Sequence, residues 1–278
     1  MKQKTIAILV GTGLWRGLSS LQLRDKKIYR NTQINLGTKT VEILYHEIGF
    51  YHDLRVVILP RHGADRDRPQ RSPAELVSSS AHEAHIWFLS QLGVEEVYAF
   101  NTVGALDEHL PLANTHTFLI PDQLGYGLGV SFHSFGTRAK HPHPEMNRIF
   151  SEELRKKLEQ AVLLGGSNAI TSGTYIYSNL DHLESKVEGR ALKRLFEDAE
   201  NPVVGSTAGA ELVLCKEMGI NYALLCSISN YVQGTSSKRV AHAEILAIME
   251  EAGQALIRVV ESLLEIHQPL EEESICTN

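Results

Sequence analysis

The chain has 278 residues, 43% hydrophobic and 22% charged, with a formal net charge of -6 at pH 7. This is globular composition with room for one large α/β domain, and the acidic balance argues against a nucleic-acid binder, which needs a basic surface. No apolar run reaches the roughly eighteen residues of a membrane helix, and Cys215, Cys226 and Cys276 form no CxxC pair, which points to thiols in a reducing cytoplasm and away from zinc.

In chain order, residues 5–10 form a continuous apolar run that predicts a first strand, followed by Gly11-Thr12-Gly13. Residues 55–60 predict a second, ending in Arg61-His62-Gly63. Ser72-Pro73 supplies an N-cap and first residue for a helix that Gly93 closes. Strands at 95–100 and 115–120 follow, the former running into Asn101-Thr102-Val103-Gly104. The stretch 124–144, with its Gly, His and Pro, is too long for a simple connector and is expected to be a functional loop or subunit contact. Residues 145–164 predict a helix, 169–177 a strand, 184–198 a helix and 202–205 a strand that leads into Ser206-Thr207. A helix at 210–218, a strand at 222–229 ending in Asn230, and a long helix at 240–266 complete the pattern. The acidic, polar tail 268–278 is expected to be disordered, leaving one domain over 1–267. Alternating strands and helices, several strands being unbroken Val/Ile/Leu runs, imply an α/β fold with a mostly parallel central sheet flanked by helices.

In such sheets ligands bind outside the carboxyl ends of the strands. Those ends carry glycines, the hydroxyls of Thr12, Thr102 and Thr207, and Arg61-His62. Glycine lets backbone N–H groups approach an anion, hydroxyls donate to it, and a guanidinium matches its oxygens. The inventory suits an oxyanion such as phosphate. Each residue has a plainer reading: Arg61 could pair with a carboxylate, Thr207 could cap a helix, Glu184 could be a first-turn helix carboxylate, and Asn230 could serve a turn. Gly11-Thr12-Gly13 does not extend to a dinucleotide fingerprint, because Gly17 falls one residue late for GxGxxG. His141 and His143 look like zinc ligands, but no third ligand is evident. GxSxG, Walker and HExxH motifs are absent from the sequence.

Taken together, these segments resemble the trimeric purine nucleoside phosphorylase and methylthioadenosine phosphorylase family, from about Thr5 to Ile266. Gly11-Thr12-Gly13-Leu14 is similar to the family's G-[ST]-G-[LF] loop, and Leu59-Pro60-Arg61-His62-Gly63 to its LPRHG. Asn101-Thr102-Val103-Gly104-Ala105-Leu106 resembles TNAxGxL, and Ile120-Pro121-Asp122-Gln123 the segment entering the active-site loop. Gly173-Thr174-Tyr175, Leu183-Glu184-Ser185, Val204-Gly205-Ser206-Thr207 through Glu211, Ser229-Asn230-Tyr231 and His242 match the remaining motifs in order. Leu180-Asp181-His182-Leu183 replaces the family's G-P-[RS]-F, Ser206 its ribose-stacking Met, Ala210 its Pro, and Arg66 a usual His.

The resemblance implies phosphorolysis of a purine nucleoside, with inorganic phosphate as co-substrate and no cofactor or metal. It implies that Thr12, Arg61, His62 and Thr207 hold phosphate with the Asn101-Thr102 backbone beside it. It further implies that Ser206 and Val103 touch the nucleoside, that His242 faces the 5′ position, and that Glu184 and Asn230 act on the base. A Glu accepting from N1–H and an Asn donating to a 6-oxo group favour inosine or guanosine, with 5′-methylthioadenosine or methylthioinosine as the alternative. A nucleoside hydrolase and a non-catalytic purine binder are the further readings. The resemblance also implies a cytoplasmic homotrimer, with Phe132, His133 or Phe135 completing a neighbour's sugar pocket.

Overall fold

The computed structural model describes residues 3–18, 21–64, 70–237 and 242–268. The expected tail disorder and Arg66 lie outside these residues, as do the side chains of Thr12 and His242. β1 (Thr5–Val10) is buried along its whole length and lies parallel between β4 (Leu54–Pro60) and β5 (Glu96–Ala105). Its side chains alternate between two cores, as the period of a strand requires. Ile6, Ile8 and Val10 pack with Leu154 and Leu158 of α4 (Glu152–Leu164) and Val259 and Leu263 of α7 (His242–Ile266). Ala7 and Leu9 pack on the other face with Ile86 and Leu89 of α3 (Ala81–Gln91) and Leu212 and Cys215 of α6 (Ala208–Met218).

Among the described residues the sheet has eleven strands. From β5 it continues through β10 (Val203–Gly205) and β9 (Thr174–Tyr177) to β7 (Gln123–Tyr126), while β11 (Asn221–Tyr231) also lies parallel to β5 and leads through β6 (Thr117–Leu119) to β8 (Asn168–Ile170). The arrangement is the expected α/β fold with a mixed, mostly parallel central sheet flanked by helices.

Several elements depart from the sequence expectation. β2 (Arg24–Asn35) and β3 (Thr40–Tyr51) form a long antiparallel hairpin that the apolar pattern does not predict. β2 is exposed along most of its length and so lacks the apolar run that marks a buried strand. The helix expected from Ser72 to Gly93 is two, α2 (Pro73–Ser78) and α3, broken where Ser80 adopts φ 57. α4 starts at Glu152 behind the N-cap Ser151, not at Glu145. The strand expected at 169–177 splits into β8 and β9, which pair with β6 and β10 respectively. β7 runs into the start of the stretch expected to be irregular.

At the amino end of β5, Glu96 gathers Lys4 (2.6 Å), Lys157 (3.1 Å), His267 (2.9 Å) and the Tyr98 hydroxyl (2.9 Å). These partners hold its carboxyl far below the usual range against the opposing effect of burial. The knot ties β1, α4 and the end of α7 to the sheet at the pole opposite the candidate site.

Candidate active site

Arg61 follows β4 and is 2% exposed. Its Nε and Nη2 donate to the two carboxylate oxygens of Glu211 on α6 at 2.6 and 3.0 Å, and its Nη1 donates to the Phe100 carbonyl at 2.9 Å. Glu211 also accepts the Tyr222 hydroxyl at 3.0 Å. Burial alone would raise its pKa, but Arg61 holds the carboxyl below its usual range. The bidentate fork therefore ties Arg61 to a carboxylate, the plainer of the two roles its sequence position allowed. In the sequence Glu211 stands out only as the end of a motif, and pairing 150 positions apart leaves no local signal.

His62 is half-buried. Its Nδ1 lies 2.7 Å from the Arg71 carbonyl, so this nitrogen carries the proton and Nε2 is left as an acceptor. Burial, and then the charge of Arg61, push the imidazole down to about 4. Gly11, between β1 and α1 (Thr12–Leu18), lies over the guanidinium: a Cβ there would stand 3.7 Å from Arg61 Nη1.

Thr207 precedes α6 but makes no side-chain cap to it. Its hydroxyl meets Asn101 instead, with Asn101 Nδ2 at 2.9 Å and Oδ1 at 3.2 Å. The α6 N-terminus is met by the Tyr175 hydroxyl, which accepts the Ala208 N–H at 3.2 Å and Asn101 Nδ2 at 3.1 Å. Gly205 is required beside it, since a Cβ would fall 2.5 Å from that oxygen. Thr102 is exposed, while Val103 is buried with its carbonyl 3.4 Å from the Ser229 hydroxyl oxygen. Ser206 is half-buried with its hydroxyl 3.4 Å from the Leu180 carbonyl.

Glu184 and Asn230 come together. Both line a cavity of about 240 Å³ with Leu183, Tyr231, Gly234 and Ile245. A register shift between Ile228 and Asn230 where β11 runs beside β5 sets Asn230 opposite Gly104, a bulge of the kind that re-aims a side chain beside a site. The Ser229 hydroxyl donates to Asn230 Oδ1 at 2.8 Å, and Nδ2 donates to the Tyr231 carbonyl at 3.3 Å, leaving one amide N–H without a partner among the described residues. Glu184 sits just before α5 (Lys186–Leu195), and burial raises its pKa. The wall opposite is set by Gly234 (φ +83), whose Cβ would fall 2.5 Å from the Lys186 carbonyl.

Of the residues expected to reach a neighbouring subunit, His133 and Phe135 are spent within their own chain. His133 Nδ1 bonds Glu83 at 2.9 Å, and Phe135 is buried with its N–H on Glu217. Phe132 is 86% exposed. Among the described residues no cluster of three or more His, Cys, Asp or Glu could hold a metal, and no helix is long and apolar enough to cross a membrane.

Known proteins resemble this chain in sequence and in fold. A 6-oxopurine nucleoside phosphorylase of Pyrococcus furiosus is 27% identical over 237 residues, covering 81% of this chain and 84% of the relative. A protein of Pseudomonas syringae pv. tomato described as a probable S-methyl-5'-thioinosine phosphorylase is 32% identical over 241 residues, covering 86% and 89%. The fold superposes on methylthioadenosine phosphorylase from Schistosoma mansoni in complex with adenine with a TM-score of 0.74, at 18% identity and covering 95% and 92% of the two chains. The phosphorylase superfamily pattern runs from residue 5 to residue 265, from the first strand to the end of the last helix, and the chain belongs to that superfamily.

Proposed function

We propose that this protein is a pentosyltransferase that cleaves purine nucleosides with inorganic phosphate, giving free purine and a pentose 1-phosphate, and that it favours 6-oxopurine nucleosides. The observation that carries the base preference is the shared cavity of Glu184 and Asn230. At about 240 Å³ it is smaller than a typical small-molecule pocket of roughly 300–1,000 Å³, which fits a base held inside with sugar and phosphate beyond it. The Ser229 hydroxyl occupies Asn230 Oδ1, and the second Asn230 amide N–H is the proposed donor for a 6-oxo oxygen or N7. Glu184 accepts from N1–H.

In the reaction a phosphate oxygen bonds to C1′ as the C1′–N9 bond breaks, its electron pair passing to the purine, which takes up a proton. The protein's contribution is positioning and stabilisation of charge on the leaving base. Phosphate is met by the Gly11-Thr12 turn, by Thr102 and by the acceptor Nε2 of His62, which suits a protonated phosphate oxygen. Arg61 and Thr207 support the site from beneath, through Glu211 and Asn101, and Arg61 adds positive charge at close range. Metal and organic cofactor have no part in this scheme.

The relatives named for 6-oxopurine nucleosides and for methylthioinosine share the 6-oxopurine base and differ at the 5′ position. Methylthioinosine is therefore the second reading, with His242 at the 5′ end as the residue that would decide it. The assembly proposed is a cytoplasmic homotrimer in which exposed Phe132 reaches a neighbour's sugar pocket. Comparing kcat/KM for inosine, adenosine and 5′-methylthioinosine tests the assignment: inosine is expected to exceed adenosine, and faster cleavage of adenosine would overturn the base preference.

A further inference from the structure

The loop 178–185 between β9 and α5 carries Glu184 and holds the residues in which the sequence departs most from its family pattern. Asp181, in this loop, reaches across to the start of α2. Its Oδ2 accepts the Ser72 hydroxyl at 2.6 Å, and its Oδ1 accepts the Ala74 backbone N–H at 2.8 Å. Ser72 already forms a complete capping box with Glu75, so α2 does not depend on Asp181 for its N-cap.

The segment that Asp181 grips is also the segment that orients His62. The Arg71 carbonyl meets His62 Nδ1 at 2.7 Å, and the backbone N–H groups of Gln70 and Arg71 donate to the His62 carbonyl at 2.8 and 3.1 Å. Ser72 is the next residue. One short stretch, 70–74, thus holds the His62 ring on one side and the Glu184 loop on the other. A second tether, Ser206 to the Leu180 carbonyl at 3.4 Å, fixes the same loop from α6's side.

We infer that Asp181 is a positioning residue that couples the two halves of the site: it ties the base-reading Glu184 to the segment that orients His62, so that phosphate and purine each tighten the other's binding. The inference rests on the proposed phosphorolysis. Coupling of this kind is reciprocal: phosphate that fixes the His62 ring steadies segment 70–74, hence Asp181 and Glu184, and a bound base acts in the opposite direction. Asp181 itself touches neither ligand.

The test measures hypoxanthine binding by calorimetry with and without inorganic phosphate, alongside steady-state kinetics with inosine, for wild type, Asp181→Ala and Asp181→Asn. In the wild type phosphate is expected to tighten hypoxanthine at least 5-fold. Asp181→Ala should weaken the base about 10-fold, raise KM for inosine more than it lowers kcat, and reduce the phosphate effect to less than 2-fold. Asp181→Asn keeps an acceptor for the Ala74 N–H and should recover most of the coupling, which a loss of carboxylate charge alone would not allow. Unchanged coupling in Asp181→Ala, or a loss of thermal stability in both variants with base affinity and coupling intact, would overturn the inference while leaving phosphorolysis standing. A wild type that releases no purine from inosine would overturn the functional reading and this inference with it.

Discussion

Arg61 and Glu211 form a closed, bidentate ion pair at 2.6 and 3.0 Å beneath the carboxyl ends of β1 and β5, with neither side chain more than 1% exposed. The Leu9 and Phe100 carbonyls accept from Arg61 and the Tyr222 hydroxyl donates to Glu211, so four of the five guanidinium N–H groups have partners among the described residues. A buried pair of this kind contributes little against an apolar replacement of both members, but removing one member strands a charge.

Glu211→Ala is therefore expected to destabilise the fold by about 3–5 kcal/mol, measured by urea unfolding, and Arg61→Ala by a similar amount. Phosphate KM should rise in Arg61→Ala only together with this loss of stability. A variant that keeps wild-type stability while phosphate KM rises steeply would place the guanidinium directly on the anion.

For base recognition, Glu184→Ala should lower kcat/KM for inosine by roughly 10- to 100-fold, the range of a hydrogen bond to a charged group. It should affect adenosine far less. Asn230→Asp should narrow or reverse the preference for inosine, because a carboxyl accepts from a 6-amino group where the amide N–H cannot. Equal losses on both nucleosides would show that Glu184 does not read N1.

Buried histidines contribute to the pH dependence of stability. Burial, the largest cause in each case, pushes His46, His62 and His82 down to about 4. The unfolded chain protonates these groups near 6.5, so between pH 6.5 and 4 it binds more protons than the folded one. The stability they contribute is present in full above pH 6.5 and is lost as pH falls through that window. His82 is fully buried and neither ring nitrogen has a hydrogen-bond partner among the described residues. His82→Phe should therefore lose about 1–2 kcal/mol less than wild type between pH 7 and pH 5, because each tenfold difference in proton affinity between the folded and unfolded chain is worth roughly 1.4 kcal/mol. Parallel pH dependences in urea unfolding would contradict this.

Phe132→Ala should leave stability within about 0.5 kcal/mol, as expected for an exposed side chain, yet raise KM for inosine if the residue serves a neighbour. Sedimentation should give a trimer for wild type and variant alike. A fully active monomer would refute the shared-site proposal.

Sequence and structure agree where the signal is local. The apolar run before Gly11, the Ser72-Pro73 helix start and the strand expected at 222–229, which runs on to Tyr231, are legible because burial on both faces and capping chemistry leave marks within a few residues. The β2–β3 hairpin is not, since its mostly exposed first strand carries no such run. The break at Ser80 is hidden because no Gly or Pro marks it. Within the site, Glu184 and Asn230 are legible as candidates, and the structure adds their common cavity. The pairings of Arg61 with Glu211, Thr207 with Asn101 and Ala208 N–H with Tyr175 depend on partners brought together only by the sheet, so no spacing rule could find them. Asp181 stands out in the sequence only as a departure from a pattern, and its grip on Ser72 and Ala74 becomes visible only when loop 178–185 meets α2.

Phosphorolysis is tested most simply by measuring hypoxanthine release from inosine with and without inorganic phosphate and identifying the sugar product. Release is expected to require phosphate and to yield ribose 1-phosphate in equal amount. Release at the same rate without phosphate, yielding free ribose, would contradict phosphorolysis.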